Sequence, residues 1–124
     1  MTRPALLAAL LLMGACAAPP PPPPPGDPRL IITPAASSLR YGLPVVARGA
    51  DGRLRVNVDV VNPHEADFPL RVQTDWLDGT GRPIPTLLSR PAFRSLARGT
   101  VTTIDADAPH PRAEDFRMTF DTEN

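Results

Sequence analysis

Cys16 is the only cysteine among the 124 residues, and its surroundings give the sulfur a definite chemistry. Arg3 puts a positive charge near the N-terminus, Ala5 to Met13 is an unbroken apolar run, and Gly14-Ala15-Cys16 closes it with small side chains. A basic start, a short apolar stretch and a small-residue cleavage site make an export signal. The small-small-Cys ending is the pattern at which bacterial lipoproteins are cut. Cys16 is therefore expected to begin the mature chain and to carry acyl groups, palmitate among them. Each buried CH₂ contributes about 0.8 kcal/mol, so two or three acyl chains hold where one alone does not. Ordinary secretion is the competing reading, since Ala15-Cys16-Ala17 also fits the small-x-small rule and would discard the thiol with the signal. A membrane-spanning helix needs about 20 apolar residues, roughly twice this run. A lone thiol in an oxidising compartment invites unwanted pairing, which acylation removes.

The other reactive residue types do not converge in the sequence. His64 and His110 stand alone in loop-like stretches, whereas a metal site needs several ligands together, so both read as solvated histidines and no metal is expected. His64-Glu65-Ala66-Asp67 lacks the turn glycine and oxygen spacing of a calcium loop. Ser37, Ser38, Ser89 and Ser95 have no nucleophile-elbow context. Asp105 with Asp107, and Glu114 with Asp115, are paired carboxylates, but acid–base work needs burial that separates their pKa values. Both pairs lie in polar, turn-like sequence. Gly79 and Gly81 belong to a turn and not to a phosphate loop. The expectation is a protein without cofactor and without catalysis.

One set of charges reads as an interaction surface. Arg53, Arg55, Arg71 and Arg117 occupy outward positions of the expected strands, and neighbouring strands would gather their guanidinium groups beside Asp59, Asp75 and Asp121. Arginine pairs bidentately with carboxylates, so an acidic partner or a glycan fits such a patch. The plainer alternative is a mixed-sign solvated sheet face. The formal net charge of zero argues against the basic stripe that nucleic-acid binding requires.

The elements that position these residues follow from period-two alternation. Leu54, Val56, Val58 and Val60 alternate with Arg53, Arg55, Asn57 and Asp59, which describes a strand dry on one side and wet on the other. Phe68, Leu70, Val72, Thr74 and Trp76 repeat the pattern, as do Phe116, Met118 and Phe120. Residues 29–33, 43–47 and 100–104 supply shorter β-branched runs, and Ile84 reads as part of another. Asp51-Gly52, Asn62-Pro63-His64-Glu65 and Asp78-Gly79-Thr80-Gly81 carry turn chemistry between the runs. Ala92 to Ala97 reads as one helical turn. Six or seven short strands at this spacing describe an antiparallel β-sandwich, with Trp76, Phe68, Phe116 and Phe120 as its large core pieces. Pro19 to Pro25 is an unbroken proline run that can join neither helix nor sheet. At about 3.1 Å per residue it would extend for roughly 22 Å as a spacer. A PxxP ligand for an aromatic groove is the other reading of that run.

Residues 53–85 and 108–118 resemble the YcfL-like bacterial lipoproteins, a group of unassigned function. The resemblance rests on the alternating strand ending in Asn62, on Trp76-Leu77-Asp78-Gly79-Thr80-Gly81, and on Ala108-Pro109 followed by Ala113-Glu114-Asp115-Phe116-Arg117. Thr74, Asp75 and Leu77 stand where the family tends to place aromatics around its tryptophan. The resemblance implies a compact immunoglobulin-like sandwich and supplies no catalytic residue.

Together these readings give a lipoprotein signal over residues 1–15, a lipidated cysteine and polyproline linker over 16–28, and an all-β sandwich over 29–124. The expected role is that of a lipid-anchored, non-enzymatic module that contacts another protein of the bacterial cell envelope. The expected location is the periplasmic face of the outer membrane, because Ala17 follows the cysteine where the inner-membrane retention residue is aspartate. The alternative is a β-sandwich that binds a small ligand or glycan, with the arginines and Trp76 beside a shallow groove. That alternative requires an exposed Trp76, and the interaction module a buried one.

Overall fold

The alternating run at 54–61 forms the longest strand of one of two sheets, and its side chains segregate by parity. In the computed structural model, which describes residues 19, 26–86 and 90–123, β4 (Leu54–Val61) buries Leu54, Val56, Val58 and Val60 and exposes Arg55, Asn57 and Asp59. The remaining strands are β1 (Leu30–Ile32), β2 (Arg40–Tyr41), β3 (Val45–Arg48), β5 (Phe68–Leu77), β6 (Ala92–Leu96), β7 (Val101–Asp107) and β8 (Asp115–Thr122). One four-stranded sheet runs β1-β8-β5-β6, and in it only β1 and β8 are parallel. In the second sheet β4 pairs with β7 on one side and with both β2 and β3 on the other. The inner faces of the two sheets meet in one apolar cluster built around Phe116, Phe120, Trp76, Leu70, Val56 and Val58. The chain is thus an all-β sandwich.

Backbone chemistry explains why β2 and β3 are two strands and not one. The Gly42 N–H donates to the Asp59 carbonyl at 2.8 Å, and Val45 already opposes Asn57. Leu43 and Pro44 together therefore face the single residue Val58, which is the two-against-one count of a bulge. Pro44 has no N–H to offer the ladder, so the interruption falls where the sequence lacks a donor. The β3–β4 reversal is tight: the Gly49 N–H donates to the Arg53 carbonyl at 2.9 Å, and Gly52 sits at φ +79°. Positive φ at that position matches the Asp51-Gly52 turn signal. Arg48 secures the turn from outside, donating to the carbonyls of Gly52 (2.6 Å), Pro111 (3.2 Å) and Ala113 (3.3 Å).

Three expectations are corrected. Ala92 to Ala97 is not a helical turn, because Ala92–Leu96 is strand β6 and pairs with Phe68–Val72 over five residues. Only Leu96 of this strand is buried, so its apolar period is too weak to read, and the free edge of β5 decides its conformation. Phe68 is half-buried at the start of β5 and lies parallel to the His64 ring, with 6.3 Å between centroids. Ile84 is buried without belonging to a strand, and its N–H donates to the Trp76 carbonyl at 2.8 Å.

Several turns are held by ionised carboxylates. Asp78 Oδ1 accepts from the Thr80 hydroxyl at 2.6 Å and from the N–H groups of Thr80 and Arg82 at 2.9 and 3.0 Å. The Thr80 hydroxyl is the main cause that holds Asp78 below the ordinary 3.8, as the Thr33 hydroxyl is for Asp121 and the Arg29 side chain for Asp27. A carboxylate with a lowered folded-state pKa contributes stability that is complete above its unfolded value and is lost as pH falls. Denaturant unfolding is therefore expected to give a constant stability above about pH 5 and a decline below about pH 4. Asp78→Asn and Asp121→Asn should each flatten that acid limb, and an unchanged limb would refute the assignment.

Candidate functional site

The four arginines of the expected patch do not come together. Arg55 lies on β4, and Arg53 directly precedes that strand; Arg71 lies on β5 and Arg117 on β8, in the opposite sheet. Each pair faces outward from its own sheet among opposite charges. Arg55 opposes Asp107, with Nε 3.7 Å from Oδ1, and Arg53 Nε lies 3.8 Å from an Asp51 oxygen. Arg71 opposes Asp121 in the register, and Arg117 opposes Asp75. Exposed cross-strand pairs of this kind are worth about 0.2–1 kcal/mol each and describe two mixed-sign sheet faces. Cys16 lies outside the described residues.

The histidines occupy opposite ends of the molecule. His64 follows the C-terminal end of β4, whereas His110 belongs to the β7–β8 connection, where the Ala108 N–H donates to the carbonyl of Leu54 at the other end of that strand. An eight-residue strand separates them by about 25 Å. His110 Nδ1 accepts from the Arg112 N–H at 3.0 Å. His64 is less isolated than its sequence suggests: Nε2 lies 2.8 Å from Ser38 Oγ, and the ring stacks on Phe68. Ser38 is 26 residues away, a pairing that no local spacing announces. The pair is exposed, and among the described residues no carboxylate forms a hydrogen bond to His64 Nδ1 to orient it.

Beneath this loop lies a residue that the sequence marks only as a turn former. Asn62 is fully buried, and its Nδ2 donates to the carbonyls of Ala66 and Leu96, each at 3.0 Å. Its Oδ1 accepts from the His64 N–H at 3.0 Å, and its own N–H donates to the Thr100 carbonyl at 3.0 Å. One amide thus ties together the end of β4, the 62–67 loop and the end of β6.

The sandwich is open along both sides, and the openings differ in character. On one side a groove of about 410 Å³ separates β1 from β2 and is lined chiefly by Pro28, Leu30, Ile32, Tyr41 and Leu43. Tyr41 packs on Phe120 at 4.8 Å and donates its hydroxyl proton to the Ala36 carbonyl at 2.8 Å, so burial pushes its pKa up. Leu43 is 72% exposed and Val45 64%. On the other side a cleft of about 180 Å³ lies between β6 and β7, with Val72, Trp76 and Ile104 among its walls and Arg90 and Arg94 beside it. Trp76 is buried, with 5% of its surface exposed.

The fold and these two openings define a small antiparallel β-sandwich with free strand edges on both sides. It is similar to the crystal structure of Campylobacter jejuni cj0090, with a TM-score of 0.65 at 18% identity, covering 78% of this chain and 100% of that one. It is also similar to a DUF1425 family member from Shewanella sp. pv-4, with a TM-score of 0.63 at 15% identity, covering 69% and 79% of the respective chains. Likeness at these identities is likeness of fold. No family model and no curated protein matches the sequence.

Proposed function

We propose that the protein is a lipid-anchored, non-enzymatic module of the bacterial cell envelope. Cys16 carries the acyl groups, and the proline run sets the sandwich off the bilayer. The sandwich then contacts another envelope protein at the periplasmic face of the outer membrane. The observation that supports this reading best is the apolar groove between β1 and β2, with Ile32 and Leu43 left substantially exposed in its lining. Unpaired strand edges beside exposed apolar side chains are what an added strand or a flat partner surface engages. The burial of Trp76 supports the same reading, because a glycan face built on that ring needs it exposed. Membership of the YcfL-like lipoproteins belongs to the proposal, supported by the shared sandwich fold of the two bacterial structures.

The anchor is tested by mass spectrometry of the protein recovered from bacterial membranes. The expected product begins at Cys16 and carries acyl mass, and Cys16→Ser should move the protein into the soluble fraction. A mature chain that starts beyond Cys16 without lipid would overturn the anchoring. Docking is tested by in-cell crosslinking from Ile32, where Leu43→Glu should abolish the adduct without altering thermal stability by more than a few degrees. An undiminished adduct would place the contact elsewhere.

A further inference from the structure

Strand β6 breaks the rule that inward positions are apolar. Ala92, Arg94 and Leu96 share the inward side, since they oppose Val72, Leu70 and Phe68 in the register, and Leu70 is fully buried. An arginine at such a position must carry its charge out along the wall of the core. Across from it, the inward residues of β7 are Ile104 and Ala106, opposite Val58 and Val56. The small side chains of Ala92, Ala106 and Thr74 leave the two inner faces unfilled here, and the space is the 180 Å³ cleft.

Two arginines and two aspartates border the cleft, and they differ in how they are engaged. Asp105 and Asp107 both belong to outward register positions: the Asn57 side-chain amide, oriented so that its nitrogen donates, reaches an Asp105 oxygen at 2.7 Å, and Arg55 Nε lies 3.7 Å from Asp107. Arg90 and Arg94 form no hydrogen bond or ion pair among the described residues. By contrast, Arg48 is tied to backbone carbonyls and Glu114, and Arg29 to Asp27. Two guanidinium groups without a partner among the described residues, at the mouth of a cleft of mixed polar and apolar lining, are suited to an anion with a small hydrocarbon body.

We propose that the cleft between β6 and β7 binds a compact organic carboxylate, its charge held by Arg90 and Arg94 and its apolar part lying over Ala92 and Ala106, with the buried Trp76 forming the floor beneath and not a stacking face. The volume is close to that of a cavity that takes a benzene ring and suits a short free acid or the terminal carboxylate of a peptide. This site lies on the side opposite the β1–β2 groove, and it stands or falls independently of the anchor and the docking face.

Trp76 is the only tryptophan, so its emission reports the cleft directly. The full chain is titrated with butyrate and with butyramide, and in parallel with N-acetyl-trialanine and its C-terminal amide. The expected result is a saturable emission change with one or both acids, with a dissociation constant on the order of 1 mM. Each neutral amide should bind at least about tenfold more weakly. Preference for butyrate identifies a free acid as the source, and preference for the tripeptide identifies a chain terminus. Arg90→Gln combined with Arg94→Gln should weaken binding by at least about tenfold at unchanged thermal stability. Failure of both acids to bind, equal binding of acid and amide, or binding unaffected by the double substitution would each overturn the proposal. The comparison of acid with amide on the unmodified chain decides the matter even where the double variant folds poorly.

Discussion

Phe120→Ala is expected to lower the unfolding free energy by about 3–5 kcal/mol. The ring is fully buried in β8, a central strand that pairs with β1 on one side and β5 on the other. It is also a contact between sheets, since Tyr41 of β2 packs against it at 4.8 Å. Truncation removes the transfer free energy of the ring and leaves a void that neither sheet can close without breaking a ladder. A domain of this size has roughly 5–15 kcal/mol in total, so most of the margin would go. The melting temperature should fall by roughly 15–30 °C. Phe93→Ala is the matched control: that ring is 55% exposed on the outer side of β6, and its loss should cost less than about 0.5 kcal/mol. Thermal unfolding followed by circular dichroism separates the two. A Phe120→Ala protein within about 1 kcal/mol of the parent would mean that the two sheets are not packed as described.

Asn62→Asp is the second large effect, and it has a pH signature. The substitution keeps the shape of the side chain but replaces the Nδ2 donor with an oxygen that faces the carbonyls of Ala66 and Leu96, each at 3.0 Å. A buried carboxylate between two carbonyl oxygens is desolvated and repelled, at a cost of about 3–5 kcal/mol near neutral pH. Burial raises the pKa of the introduced carboxyl above its unfolded value of about 3.9. The penalty therefore starts as pH passes that unfolded value, grows until the raised folded value is reached, and is constant beyond it. Below about pH 4 the protonated carboxyl can donate one of the two lost hydrogen bonds, and the variant should be more stable than Asn62→Ala, which leaves both carbonyls unpaired at a cost of about 2–3 kcal/mol. A penalty independent of pH would show that the side chain escapes to solvent.

These two sites mark where sequence reasoning reached and where it stopped. Phe120 was legible because Phe116, Met118 and Phe120 alternate with polar residues, and period-two alternation fixes which side chains a strand buries. Asn62 was legible only as a turn former. Its burial comes from Leu96 and Thr100, brought to it by a strand whose own pattern, Ala-Phe-Arg-Ser-Leu, carries no clear period. The same strand escaped recognition for that reason, and with it the cleft beside Arg90 and Arg94. The Arg53, Arg55, Arg71 and Arg117 grouping failed differently. Parity along each strand was read correctly, but parity says nothing about which sheet a strand joins, and β4 stands in the opposite sheet from β5 and β8.

By itself the sequence determined the all-β class, the inward and outward parity of its three long strands, and the turn at Asp51-Gly52. Those properties depend on neighbours in the chain: alternation of apolar side chains, and the tolerance of glycine for positive φ. Tertiary structure alone decided the partition of strands between sheets, the half-buried position of Phe68, the Ser38–His64 contact, the burial of Asn62 and the character of the two openings. Each of these depends on backbone edges and inner faces contributed by segments far apart in sequence, and their meeting is set by which edges remain free once the strongest strands have paired.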